Sequence, residues 1–183
     1  MVRTALRILL FITAVAAAAG AVVTRELDGR ALLLTSPQSD AADYVKRLDV
    51  LTEEVLGNDT TMRAVLSQNT RGLTAEPVRR SLATIRQVLG AAGQELGRQR
   101  EEKKVPDGFG TSHGKLVTVV SALDQHYEAL QRAIAATSAQ DQQQALLAAR
   151  STDNRYAELL MDYLREYQQR LAAAGFRLTE APR

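Results

Sequence analysis

Asp59 and Asp153 each stand where an apolar helical stripe calls for a hydrophobic side chain, and His126 sits beside a third such stripe. A carboxylate carried into an apolar seam needs a hydrogen-bonding or charged partner. A nearby imidazole adds a group that donates or accepts a proton. With Tyr127 and Tyr156 beside them, Asp59, His126, Asp153 and the two phenols are the candidate ligand-binding residues, the lining of a small polar pocket for a ligand or a cation. Arg63, Arg86 and Arg155 are the candidate internal partners for the carboxylates. The competing structural reading has a kinked first helix that turns Asp59 to solvent. In that reading the fourth helix is locally rotated around Ser151-Thr152-Asp153-Asn154.

Recognised catalytic motifs are missing from the chain: no P-loop, no G-x-G-x-x-G, no H-E-x-x-H, no G-x-S-x-G and no calcium loop. A di-iron helical site needs Glu-x-x-His on two helices. Here Gly110 and Leu123 occupy the positions three before His113 and His126. With 0 Cys, thiol catalysis, disulfides, covalent haem and thiolate metal sites drop out. Met62, Met161 and His126 make no specific haem-ligand pair. The expectation is therefore a non-catalytic protein with no cofactor and no metal.

Three weaker candidates remain. Gly90, Gly93 and Gly97 would let a ligand or another helix approach the second helix closely. The run Arg98-Gln99-Arg100-Glu101-Glu102-Lys103-Lys104 would hold an anion or a lipid headgroup, but its glutamates fit a solvated helix end better. Tyr156, Tyr163 and Tyr167, at 7- and 4-residue spacing, fit a core stripe better than a binding stripe. His113 is read as orienting the start of the third helix.

The elements that must position these groups are helices. From Ser39 to Gly175 the apolar residues recur at helical spacing. The first helix, about Ser39 to Thr70, carries Ala41, Tyr44, Val45, Leu48, Leu51, Val55, Met62, Val65 and Leu66, with a kink expected at Gly57-Asn58-Asp59. The second, about Ala75 to Lys103, has Thr74 as expected N-cap and Pro77 in its first turn. Its Val78, Leu82, Ile85, Leu89, Ala92 and Leu96 alternate in steps of four and three, the seam of a bundle or coiled coil. Pro106-Asp107-Gly108 is a turn. The third helix, about Ser112 to Ala136, carries Leu116, Val119, Val120, Leu123, Tyr127, Leu130 and Ile134. Thr137-Ser138-Ala139-Gln140 fits a capping box. The fourth helix carries Leu146, Ala149, Tyr156, Leu160, Tyr163, Leu164, Tyr167 and Leu171 and stops at Gly175.

Four such helices with short connections predict an all-α fold, an up-down-up-down four-helix bundle over residues 39–175. The axial rise then places Asp59 at ~30 Å from one end, Asp153 at ~24 Å, Gly90 at ~23 Å and His126 at ~22 Å, one layer midway along the bundle.

The chain opens with Arg3 and Arg7, followed by an apolar run from Ile8 to Val23 that small residues close. This is the layout of an export signal. Residues 1–23 are expected to be a signal peptide, cleaved after Ala19 or Ala21, or a signal anchor whose residues 8–23 contact the membrane. The run is shorter than the roughly 20 apolar residues of a full span. Residues 24–38 are expected to be a linker and residues 176–183 a C-terminal tail. The domain is expected in the periplasm or outside the cell, or tethered to the inner membrane with the domain outside the cytoplasm.

The formal net charge of +2 rests on the two leader arginines, so the remainder is balanced. A nucleic-acid binder normally shows a basic face on a basic domain, and nucleic acid is not an expected partner. The absence of tryptophan argues against an aromatic sugar-binding platform.

The segment Ser39–Leu66, with Leu48-Asp49-Val50-Leu51 followed by Val55-Leu56, resembles the first helix of extracytoplasmic all-helical sensor domains of bacteria. The likeness covers one helix of four and implies a binding role. The function expected is a non-catalytic interaction or accessory module at a bacterial cell envelope, with a protein partner there. The alternative is an extracytoplasmic small-ligand sensor or carrier that uses the polar layer.

Overall fold

The computed structural model describes residues 21–27, 30–68 and 73–176, with side chains from position 40 onward. From Ser36 onward the described residues are all helical in their regular structure, and four long helices account for it. They are α1 (Ser36–Gln68), α2 (Glu76–Glu101), α3 (Gly110–Ala135) and α4 (Ala139–Ala173). None of them is long and apolar enough to cross a membrane. Most of the apolar run Ile8–Val23 lies outside the described residues.

The chain divides into two compact units, residues 1–47 and 48–183. The first unit includes the stretch expected to be a linker. Residues 21–27 and 30–35 form an antiparallel pair, β1 (Ala21–Leu27) and β2 (Arg30–Thr35), in register from Ala21 opposite Thr35 to Thr24 opposite Leu32, with a register shift before Leu27 opposite Arg30. The sequence reason is the β-branched stretch Val22-Val23-Thr24, which fits a pleated strand. The first three strand residues belong to the stretch expected to be the leader, whose residues 1–20 lie outside the described part. Of the expected tail, only Phe176 is described.

In the second unit the apolar stripes of the sequence become the core. Leu48, Leu51, Val55 and Met62 of α1 are buried, with Val78, Leu82, Ile85, Leu89, Ala92 and Leu96 of α2. Leu116, Val119, Val120, Leu123, Tyr127 and Leu130 of α3 join them, with Ala149, Tyr156, Tyr163, Tyr167 and Leu171 of α4. Leu146 departs from its expected core position and is 39% exposed.

α1 runs unbroken through the stretch expected to kink it. Gly57-Asn58-Asp59-Thr60-Thr61 is a run of poor helix formers, together about 3 kcal/mol worse than alanine. Tertiary contacts must outweigh that deficit. Within the run, Thr60 and Thr61 hydroxyls donate to the carbonyls of Leu56 and Gly57, four residues back, at 2.8 Å each.

The helix ends correct two capping expectations. The N-cap of α2 is Ala75, not Thr74, and no side chain caps it, although Pro77 does occupy the first turn. At α4 the cap is Ser138, whose Oγ accepts from the backbone N–H of Asp141 at 3.1 Å and donates to its Oδ2 at 2.7 Å. The cap thus lies one residue further along than expected, with Asp141 in the place expected of Gln140. Asp141 supplies the acid of the first turn, where negative charge suits the helix dipole.

The C-terminal ends repeat one motif with different residues. α4 closes with Phe176 N–H bonded to Leu171 O and Gly175 N–H to Ala172 O, with Gly175 at φ +82°. α2 closes in the same way, with Lys104 N–H to Gln99 O and Lys103 N–H to Arg100 O, but Lys103 holds the left-handed position at φ 53°. Glycine is the residue that takes this conformation without a Cβ penalty. Lys103→Gly should therefore raise the unfolding free energy, by about 1 kcal/mol. Urea unfolding of the purified chain checks this, and a loss of stability would contradict it.

Candidate functional site

The polar residues of α1 define the site. α1 turns one row of side chains, Asp49, Thr52, Asp59 and Arg63, toward the tyrosines of α3 and α4. At the centre Asp59 is 7% exposed. Its Oδ1 accepts from the Tyr127 hydroxyl of α3 at 2.5 Å, and its Oδ2 accepts from Arg63 Nε at 2.9 Å. Arg63 turns its other nitrogens to α4, where Nη2 donates to Asp153 Oδ1 at 2.7 Å and Nη1 to Asp153 Oδ2 at 3.4 Å. The guanidinium therefore bridges two carboxylates on two helices with its planar fork, the geometry for which arginine is suited. Its Cζ lies 6.0 Å from the ring centroid of Tyr156, at the outer reach of a cation–π contact.

His126 completes the layer from α3. Its Nδ1 lies 2.8 Å from the carbonyl oxygen of Ala149 in α4, and its ring meets Tyr127 edge-on with centroids 4.8 Å apart. The five residues read from sequence as one layer, Asp59, His126, Tyr127, Asp153 and Tyr156, do come together. Both aspartates have their oxygens engaged, and Asp59 is buried rather than turned to solvent. Of the three candidate partner arginines, Arg63 is the one that joins them. Arg86 instead spans α2 and α3, donating to Asp124 at 3.1 Å and to Gln131 at 2.6 Å. Arg155 is exposed. The glycines do not belong to the layer: Gly90 and Gly97 are exposed, Gly93 is half-buried, and a Cβ at any of them would meet open space. Axial height alone placed Gly90 there, and height does not say which way a residue faces.

The electrostatics follow the geometry. The bonded Arg63 guanidinium holds the Asp153 carboxyl below its ordinary range, against a smaller opposing effect of burial. Burial, and then the Asp59 carboxylate, push the Tyr127 phenol far up. Burial and the same carboxylate push Tyr156 up to about 12. Both phenols are therefore neutral near pH 7, and Tyr127 is a hydrogen-bond donor.

The row continues along α1 in a way that the sequence reading missed. The Tyr167 hydroxyl donates to Asp49 Oδ1 at 3.2 Å, and Tyr163 shares a hydrogen bond with Thr52. Tyr163 and Tyr167 stack with centroids 5.4 Å apart. All five tyrosines of the chain are buried, as a core stripe requires, yet the hydroxyls of Tyr127, Tyr163 and Tyr167 find polar partners on α1. The 49, 52, 59, 63 spacing on α1 was the available signal, since steps of three, seven and four keep these residues on one helix face.

His113 sits away from this layer. Its Nε2 lies 3.1 Å from the carbonyl oxygen of Leu96 in α2, so it ties the start of α3 to the end of α2. Burial lowers its pKa. Gln99, also buried, donates Nε2 to Glu95 at 3.0 Å, while its Oε1 has no partner among the described residues. Among the described residues no group of three or more His, Cys, Asp or Glu side chains is arranged to hold a metal ion. Comparison with protein-family models, with curated proteins and with solved structures finds no match to the chain.

The layer makes a pH prediction. A carboxyl whose folded pKa lies below its ordinary 3.8 contributes stability that is present above that value and lost as pH falls through the folded pKa. Arg63 and Asp153 are 41% and 34% exposed, so screening keeps the effect small, about 1 kcal/mol or less. Urea midpoints taken from pH 7 down to acid should fall more steeply for the wild-type chain than for Asp153→Asn. Parallel curves would contradict the assignment.

Proposed function

We propose that the chain is an exported or membrane-anchored, non-catalytic interaction module of a bacterial cell envelope. Its helices form an up-down-up-down bundle that stands outside the cytoplasm and meets a protein partner there. One observation carries the non-catalytic reading: the polar layer spends its groups on itself. Asp59 uses both oxygens on Tyr127 and Arg63, and Asp153 uses both on Arg63. Such a network fixes helix register and leaves recognition to the outer surface.

The topology is supported by contacts whose residue numbers run in opposite directions along neighbouring helices. Asp49 meets Tyr167 where Arg63 meets Asp153, Lys115 meets Asp162 where His126 meets Ala149, and Leu96 meets His113 where Arg86 meets Asp124. The location is supported by Arg3, Arg7 and the apolar run that follows them.

A second reading, an extracytoplasmic small-ligand sensor or carrier, is favoured by one feature. Arg63 and Asp153, at 41% and 34% exposed, bring the layer to the surface, where a charged ligand would reach it.

Two measurements test these readings. A reporter enzyme that is active only outside the cytoplasm, fused after residue 183, should be active in bacterial cells expressing the full chain. Inactivity would contradict export. Native mass spectrometry of the chain purified from the envelope should show no small adduct that depends on Asp153. An adduct that disappears in Asp153→Ala would replace the interaction module with the ligand carrier.

A further inference from the structure

The weakest helical stretch of α1 and the strongest polar contacts of the layer coincide. Gly57-Asn58-Asp59-Thr60-Thr61 is made of residues that disfavour a helix interior. Three of them turn their side chains back on the helix. Asn58 Nδ2 donates to Glu54 O at 2.9 Å, and the Thr60 and Thr61 hydroxyls donate to Leu56 O and Gly57 O. Such back-bonding competes with the backbone ladder and bends helices. Gly57 has open space where a Cβ would sit, so nothing in the packing requires glycine there. The fifth residue, Asp59, is the one that is buried and clamped.

The clamp is graded in depth. Its inner half, Asp59 with Tyr127, is buried. Its outer half, Arg63 with Asp153, reaches solvent. Arg63 bonds both halves, since it holds Asp59 through Nε and Asp153 through its terminal nitrogens. A charged group in solution that takes either outer partner therefore loosens the contact that holds the buried carboxylate. Stability differs along a structure, and segments of low intrinsic stability open alone when their tertiary anchors are removed.

We infer that residues 57–61 of α1 form a latched hinge: a segment kept helical by the Asp59–Arg63–Asp153–Tyr127 clamp, which opens locally when Arg63 lets go while α3 and α4 stay folded. The hinge gives the chain a two-state element in α1 that a partner or a charged ligand can bias from the surface, the minimum equipment for a switch.

Hydrogen–deuterium exchange of the full chain, read peptide by peptide, tests it. In Arg63→Gln the amides of residues 57–66 should exchange about tenfold faster or more than in the wild type. Those of residues 116–130 in α3 should change by less than about twofold. Adding Gly57→Ala, which restores helix propensity without meeting a neighbour, should reverse most of the local acceleration. If Arg63→Gln does not fold, Tyr127→Phe, which removes one hydroxyl from the same clamp, is read in the same way. Equal acceleration in α1 and α3 would show cooperative unfolding and overturn the hinge. So would no acceleration, or acceleration that Gly57→Ala leaves in place.

Discussion

The burial of one carboxylate organises this structure. Asp59 occupies a position in α1 where the flanking heptad places Val55 and Met62, and both neighbours are buried. A charge at that depth must be compensated within the protein. The compensation recruits Tyr127 from α3 and Arg63 from the next turn of α1, and through Arg63 it recruits Asp153 from α4. Three helices are thereby held in one register by a single side chain. Such a network does not make the fold more stable than a well-packed apolar layer would. Its contribution here is specificity, because a shift of α1 by one turn would carry Arg63 along with Asp59 but part the pair from Tyr127 and Asp153.

The same device recurs in milder form between the other helices. Arg86 of α2 reaches Asp124 and Gln131 of α3, and Lys115 of α3 reaches Asp162 of α4 at 2.9 Å. Two histidines add backbone anchors, His113 to Leu96 and His126 to Ala149. The apolar seams supply most of the burial, yet Leu, Val and Ala repeat too regularly along α2 and α3 to choose one register over the next. α1 differs in degree, since its polar row faces phenols and its own helix propensity is poor where the row is tightest.

Much of this was legible in the residues themselves. Helix count, the α2 seam and the Gly175 stop follow from periodicity and from glycine's conformational freedom, which act locally. The mid-helix layer was legible too, because Asp59 and Asp153 break apolar stripes and the rise per residue sets their height. What the sequence left open was direction. Arg63, Arg86 and Arg155 were equal candidates as partners, and only the rotation of each helix decides which one reaches Asp59. Gly90 had the right height and the wrong face. The β1–β2 pairing was not legible, because its strands fall in a stretch whose Gly29, Pro37 and mixed charges speak only through composition. Asp49–Tyr167 and Thr52–Tyr163 were missed because the phenols were counted only as apolar bulk.

The reading of Asp59 as the organising charge is tested most directly by a double-mutant cycle between Asp59→Ala and Tyr127→Phe, with unfolding free energies from urea titration at neutral pH. If the buried carboxylate and the phenol form one network, the two losses are non-additive, with a coupling of about 1 kcal/mol or more. Losses that add to within about 0.3 kcal/mol would show that the two groups act independently, and the layer would then not be the constraint on which the helices depend.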